Sequence, residues 1–370
     1  MKLKSFRSIF AVCIILVIGA LSLFIYKRIN YLPFNNYDAG PAYLTANAAD
    51  LKKTIVTPHL DQEIISGKNI LWCSTMQLAW NELYDINKGP IDLVPSCKIA
   101  DILNKRTITN ADLDRNSYVA MAGYIEDGIV QQISEELNQR FYGQECPELL
   151  RNMQNKEGIL TYGYMSVSLP FELAFKREKT GLKFDGKAVE SFTSSEYKSA
   201  KQVTILDGMS DDDFIIELKT KQKGDRIIMA KIKPLSTLHE TILLVQKRMK
   251  DGTPSELTAS QPLQVPVLNF DIFKGYQELS GHYIRSSVNR LNGQDVLIAA
   301  QTLRFRLDEN GAVLRSEILG GPGCRSHGPQ HIFFDKPFLI MLERRDAENP
   351  YFALWVGNTE LLLPVISEKK

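Results

Sequence analysis

Charge of one sign is what this chain most lacks. Its 44 Lys and Arg stand against 43 Asp and Glu, a net +1 over 370 residues. No cationic surplus is left to neutralise phosphates, which excludes a nucleic-acid partner. Cysteine is scarce as well. Cys13 lies in an N-terminal apolar run, and Cys73, Cys97, Cys146 and Cys324 are scattered without metal-ligand spacing. They read as incidental thiols or at most an occasional pair, and not as a disulfide framework. His59, His239, His282 and His331 show no mutual spacing for a metal, and there is no glycine-rich phosphate loop or serine-centred elbow. Neither a metal nor a cofactor is expected. Cys324 and His327 share one Gly/Pro-rich loop, but a thiolate nucleophile needs a rigid scaffold and a third, orienting group, so the chain is not read as an enzyme.

Long apolar runs are also few. One stretch, from Ser8 through Tyr26, is long enough to span a bilayer. Lys2, Lys4 and Arg7 precede it and Lys27-Arg28 follow, with no obvious small-x-small cleavage site. Residues 1–28 are expected to form an uncleaved signal anchor, one transmembrane helix. The charge bias places the N-terminus in the cytoplasm and the globular part outside, periplasmic or extracellular. A cleaved signal peptide is the other reading. Residues 29–68 read as a tether with weak patterning, and residues 69–370 as the globular domain. With 44% hydrophobic and 24% charged residues, the chain can bury a large core.

The pattern sharpens at Asn69, where an apolar strand leads into an amphipathic helix carrying Met76, Ala79, Trp80 and Leu83. Ala122, Ile125, Ile129, Ile133, Leu137 and Phe141 share one stripe and predict a long helix, with Asn110 as a plausible cap and Gly143 as a stop. Glu126, Asp127, Glu135 and Glu136 lie on or near that helix as solvated charge. Runs from Phe214 and Arg226 alternate about a Lys-Gly-Asp turn and predict an antiparallel hairpin. Asp207, Asp211, Asp212 and Asp213 lack the ligand spacing of a calcium loop and read as a solvated turn. A helix follows with Ser236 as cap and Leu238, Ile242 and Val245 inward. A strand-like run from Val265 then carries Phe270, Ile272, Tyr276 and Leu279.

The last part is the most patterned. Leu303, Phe305 and Leu307 alternate with Thr302, Arg304 and Arg306. The turn residues Asp308 to Gly311 come next, and alternation resumes in Ala312, Leu314, Ser316 and Ile318. A Gly/Pro-rich loop from Gly320 precedes an apolar run with Phe333, Asp335, Pro337 and Phe338, and Ala353 to Gly357 close the pattern.

In their order, these residues resemble the C-terminal part of the serpin family: strand, acidic hinge ending in glycine, exposed reactive loop, then a Phe-x-x-Asp-x-Pro-Phe signature. Phe175 and, at a tryptophan position, Phe171 extend the likeness. The resemblance implies an α+β fold with large mixed and antiparallel sheets and helices packed around them. It implies a hinge at Glu309, Asn310, Gly311 and Ala312. Fourteen residues beyond Gly311 it places a bait bond, Arg325–Ser326, suited to a trypsin-like serine protease as partner. An inhibitor of this kind is cleaved in the loop, which then inserts into the large sheet as a new strand.

Several departures favour a non-inhibitory binding or scaffold protein on the same fold. Val313, Arg315 and Glu317 replace the alanines of efficient inhibitors. Gln301 stands at the histidine position of the sheet-opening shutter, Gly163 at its asparagine, and Cys73, Ser74 and Met76 where the family has Ser, Pro and Ser. Asn310-Gly311 is also a strong signal for a type I′ hairpin turn, which would hold the loop as a preformed strand. The interval from Leu83 to Gly158 is too short for the family's full set of helices and strands.

Overall fold

The structure is a computed structural model that describes residues 42–365 apart from 142–143, 167–168, 195–196, 223, 259 and 314–328. The expected anchor, residues 1–28, lies outside the described residues. Among the described residues no helix is long and apolar enough to cross a membrane.

Two large sheets form the body. The five-stranded sheet runs β1 (Leu44–Asn47), β15 (Leu268–Gly275), β17 (Val296–Leu307), β6 (Ile159–Ser166) and β5 (Tyr118–Tyr124). The eight-stranded sheet runs β13 (Ser255–Glu256), β10 (Val203–Ser210), β11 (Asp213–Leu218), β12 (Asp225–Lys231), β20 (Phe338–Arg344), β21 (Phe352–Val356), β3 (Asn69–Cys73) and β2 (Thr54–Thr57). A four-stranded sheet adds β19 (Ile332–Phe333), β14 (Leu263–Pro266), β9 (Lys187–Thr193) and β8 (Lys176–Phe184). Two short pairs complete it: β16 (Tyr283–Arg285) with β4 (Asp92–Val94), and β18 (Gly311–Val313) with β7 (Leu169–Pro170). The helices are α1 (Thr75–Asn87), α2 (Lys98–Leu103), α3 (Ile129–Arg140), α4 (Glu148–Arg151), α5 (Tyr197–Ala200) and α6 (Leu238–Asp251). The mixed α+β architecture expected from the sequence is present.

Alternation explains how the sheets stack. Phe270 and Ile272 on β15 and Leu303, Phe305 and Leu307 on β17 share one core with the eight-stranded sheet, and Phe305 stacks on Phe352 at 4.6 Å. β20 and β21 lie in the middle of that sheet, so Phe338 to Leu342 are buried without alternation. They need apolar side chains on both faces. The opposite face of the five-stranded sheet is covered by α3, with Ile129, Val130, Ile133 and Leu137 packed among Val119, Leu160, Tyr162 and Ala300. Trp80 on α1 is fully buried and donates from Nε1 to Asn104 at 3.1 Å.

In the stretch expected to hold a tether followed by weakly patterned structure, β1 and β2 pair parallel to β15 and β3. Three expectations need correction. The long helix predicted through Ala122 and Ile125 is strand β5, a short 3-10 turn over Ile125–Asp127, then α3. Gly128, at φ +81°, makes the change of direction between them. Asn110 caps nothing, its side chain instead accepting from the Tyr118 hydroxyl at 3.1 Å, and Gly143 lies outside the described residues. At α6 the cap is Thr237 and not Ser236: its hydroxyl accepts from Glu240 N while the Glu240 carboxylate accepts from Thr237 N, a reciprocal capping box.

Candidate functional site: the base of the 314–328 connection

The strand β17 ends at Leu307 and the chain reverses at once. Asp308 N donates to Gly311 O and Gly311 N to Asp308 O, both at 3.1 Å. The turn is therefore centred on Glu309 and Asn310. The expected type I′ turn on Asn310-Gly311 is not made, because Asn310 keeps a negative φ while Gly311 sits at +133°. Beyond the turn β18 leaves β17 and pairs antiparallel with β7, Gly311 opposite Pro170. Described residues 311–313 thus form no continuing hairpin with β17.

The turn is held from outside by residues 169–177. A β-carbon on Gly311 would lie 2.2 Å from Leu169 O and 2.3 Å from Pro170 Cα, so only glycine fits this close approach. Phe171 N donates to Asn310 O at 2.9 Å and Phe175 N to Glu309 O at 2.7 Å. Arg177 bridges two carboxylates, Glu309 and Glu190, each at 2.6 Å. Asp308 is nearly fully buried; it accepts from Asn310 N at 2.9 Å and from Arg306. Burial pushes its carboxyl up, against the pull of the Asn310 amide and Arg306. Ala312 is fully buried.

The far end of the connection is also clamped. Asp211 Oδ1 accepts from Gln330 N at 2.7 Å and His331 N at 3.1 Å, and Oδ2 faces His331 Nδ1 at 3.0 Å. Lys231 is only 3% exposed; its ammonium donates to Phe333 O, Asp211 O and Asp335 and pairs with Asp212. Lys231 and Lys336 hold Asp212 below the usual carboxylate range, and His331 does the same for Asp211. Asp207 and Asp213 both face Arg248 at 2.6 Å. Each member of the aspartate cluster is thus matched to a cation or an N–H donor.

The turn lies at the end of the β17–β6 seam of the five-stranded sheet. β17 and β6 are parallel neighbours, Gln301 opposite Gly163 and Arg304 opposite Ser166. Gln301 is fully buried and accepts from the Tyr276 hydroxyl at 2.8 Å; Tyr162 donates to Thr302 at 3.1 Å. Cys73 lies beneath, its thiol 3.3 Å from Thr75 Oγ1 and pushed up to about 11 by burial. That is an inert thiol and not a nucleophile.

The structure brings Glu309, Asn310, Gly311 and Ala312 together at the mouth of this seam. Arg325 and Ser326 lie outside the described residues, as do Cys324 and His327. Arg177 and Lys231 are not singled out by the sequence, and Asp211 reads only as part of a solvated turn. A lysine closing an apolar strand, Arg226 to Lys231, was the one available signal.

No family model matches the chain, and no curated protein matches it. Solved structures do. The chain is similar to human thyroxine-binding globulin complexed with thyroxine, at 13% identity over 79% of this chain and 92% of that one, TM-score 0.45. It is similar to Serpin48 of the insect Tenebrio molitor at 10% identity over 80% and 92%, TM-score 0.42. Serpin-12, a serine protease inhibitor of Manduca sexta, gives 10% identity over 78% and 92%, TM-score 0.46. All three TM-scores lie below 0.5.

Proposed function

We propose that this chain is a serpin-type inhibitor that offers residues 314–328 as bait to a trypsin-like serine protease, with Arg325–Ser326 as the bait bond. The observation that carries this reading is where the connection begins. β17 and β6 are parallel, their hinge-side ends lie together, and the chain reverses directly beyond β17. A segment folded back from that turn runs antiparallel to both strands and can enter between them. One parallel ladder is then replaced by two antiparallel ladders, which are slightly stronger per residue. Each added backbone bond contributes about 0.5–1.5 kcal/mol net, so a strand's worth is a large driving force. The loop is consumed as bait and catalyses nothing. The apolar run before Lys27 would hold the domain at the outer side of a membrane. In that case the full chain sediments with membranes and deletion of Met1 to Arg28 releases it.

A second reading, a non-inhibitory binding or scaffold protein on the same fold, is favoured by one observation. Thr75 of α1 packs so closely on Gly163 that β6 has little room to shift on the helix. Incubation with trypsin separates the two readings: an SDS-stable complex with cleaved chain supports inhibition, and turnover of the loop without a complex supports the second.

A further inference from the structure

We propose that the outer edge of β5 is a docking site for an extended peptide that adds antiparallel to Tyr118–Tyr124 and carries a carboxylate at its C-terminal end. The phase of the hydrogen bonds shows what this edge presents. Ser166 N donates to Ser117 O at 3.2 Å and Ile125 N to Gly158 O at 2.9 Å. The register between those points sets Tyr118 opposite Met165 and Tyr124 opposite Ile159. In an antiparallel pair, bonded positions alternate. The odd positions Val119, Met121 and Gly123 therefore bond to β6, and the even positions turn their N–H and C=O groups outward. Tyr118 O is taken by Arg140 at 3.2 Å. Among the described residues no strand pairs with this side of β5.

Exposed edges are ordinarily protected by charge, proline or a bulge. Tyr118–Tyr124 reads YVAMAGY and has neither charge nor proline, and its outward positions include Ala120 and Ala122, whose small side chains leave the backbone open. Alongside runs a cleft of about 180 Å³ lined by Tyr118 to Met121, with Glu82 of α1 on one rim and Glu136 and Arg140 of α3 on another. α1 and α3 both pack directly on β5. A second folded copy would bring its own α1 and α3 against these rims, whereas a lone extended segment fits between them.

Charge sets the direction of the occupant. An antiparallel segment ends beside Tyr118, where Arg115 and Arg140 line the cleft. Arg140 is paired with Glu136 at 2.7 Å. Arg115 is exposed and has no ion pair among the described residues. A carboxylate just past the last paired residue would meet it.

The edge is independent of the bait loop, and its test does not touch protease inhibition. The probe is a synthetic peptide copying Tyr118–Tyr124 with one aspartate added at its C-terminus. The copied sequence is nearly palindromic about Met121, so antiparallel pairing sets Ala against Ala and Tyr against Tyr. With the full chain, saturable binding is expected, together with slowed amide exchange at Ala120 and Ala122. A peptide with N-methylated backbone at alternate residues should bind at least tenfold more weakly, and so should the Ala120→Pro variant. That proline removes only an outward N–H and leaves the β5–β6 ladder intact. Arg115→Ala should weaken the acidic probe severalfold and leave its amidated asparagine counterpart unchanged. Absence of saturable binding, equal binding by the N-methylated peptide, or protection away from β5 would overturn the proposal. So would a concentration-dependent dimer of the chain abolished by Ala120→Pro, which would assign the edge to a second copy.

Discussion

Thr75, the first residue of α1, lies directly against Gly163 in β6: a β-carbon on Gly163 would stand 2.9 Å from the carbonyl carbon, carbonyl oxygen and Cβ of Thr75. Two of those three atoms are backbone, so no side-chain rotation relieves the contact. Gly163→Ala is expected to cost about 1–3 kcal/mol, the usual effect of overpacking. Urea denaturation measures it; an unchanged midpoint would mean that α1 shifts freely on the sheet.

Gly311 has less latitude. Gly311 combines φ +133° with backbone atoms where a β-carbon would lie. Gly311→Ala should lose about 1–3 kcal/mol from the backbone conformation alone, and more from the contact with Leu169 O. Because the damage is local, faster tryptic cutting between residues 314 and 328 should accompany the lower melting temperature. A variant with native melting temperature and native cutting rate would remove the clamp from this account.

Lys231 should matter more than any other lysine. Its ammonium is nearly buried and serves Phe333, Asp211, Asp212 and Asp335. Lys231→Met should cost about 1.5–3 kcal/mol, the value of charge-assisted bonds whose exposed carboxylate partners regain water. Lys336→Ala, a surface change on the same aspartate, should stay within about 0.5 kcal/mol. Equal effects in the two variants would contradict the assignment.

Asp225 gives a pH signature. Burial pushes its carboxyl from the ordinary 3.8 up to about 6. Between those values the folded chain holds a proton that the unfolded chain has released, so this group makes stability fall as pH rises from about 4 to about 6. Asp225→Asn should flatten that fall and raise stability above pH 6 by roughly 1–3 kcal/mol. Denaturation midpoints at pH 4 and pH 7 test it; a variant less stable at pH 7 would reverse the sign.

How much of this was legible in the sequence depended on whether the determining contacts were local. The strands at Phe214, Arg226, Leu303 and Phe338 were readable because their periodicity is set by burial of one or both faces. β5 was misread because Ala122, Ile125, Ile129 and Ile133 happen to fall at helical spacing across Gly128. The composition of Tyr118–Tyr124 also marks no face, since neither side of it is charged. The turn after β17 was expected on Asn310-Gly311, one residue later than its centre on Glu309 and Asn310. Gly311 is a glycine because of Leu169 and Pro170, which sit far from it in sequence. The partners of the clamps, Arg177 with Glu309 and Asp211 with His331, pair across more than a hundred residues. No local pattern announces such pairs.

Inhibition as proposed depends on entry of the segment beyond Gly311 between β17 and β6. It is tested most directly by cutting the chain once at Arg325–Ser326 and comparing melting temperatures of intact and nicked protein. Insertion adds a strand's worth of backbone bonds and should bury Leu314 and Ile318, so the nicked form is expected to melt well above the intact one. A nicked form that melts at or below the intact temperature would contradict the account and leave the closed seam at Gly163 and Thr75 as the permanent state of the sheet.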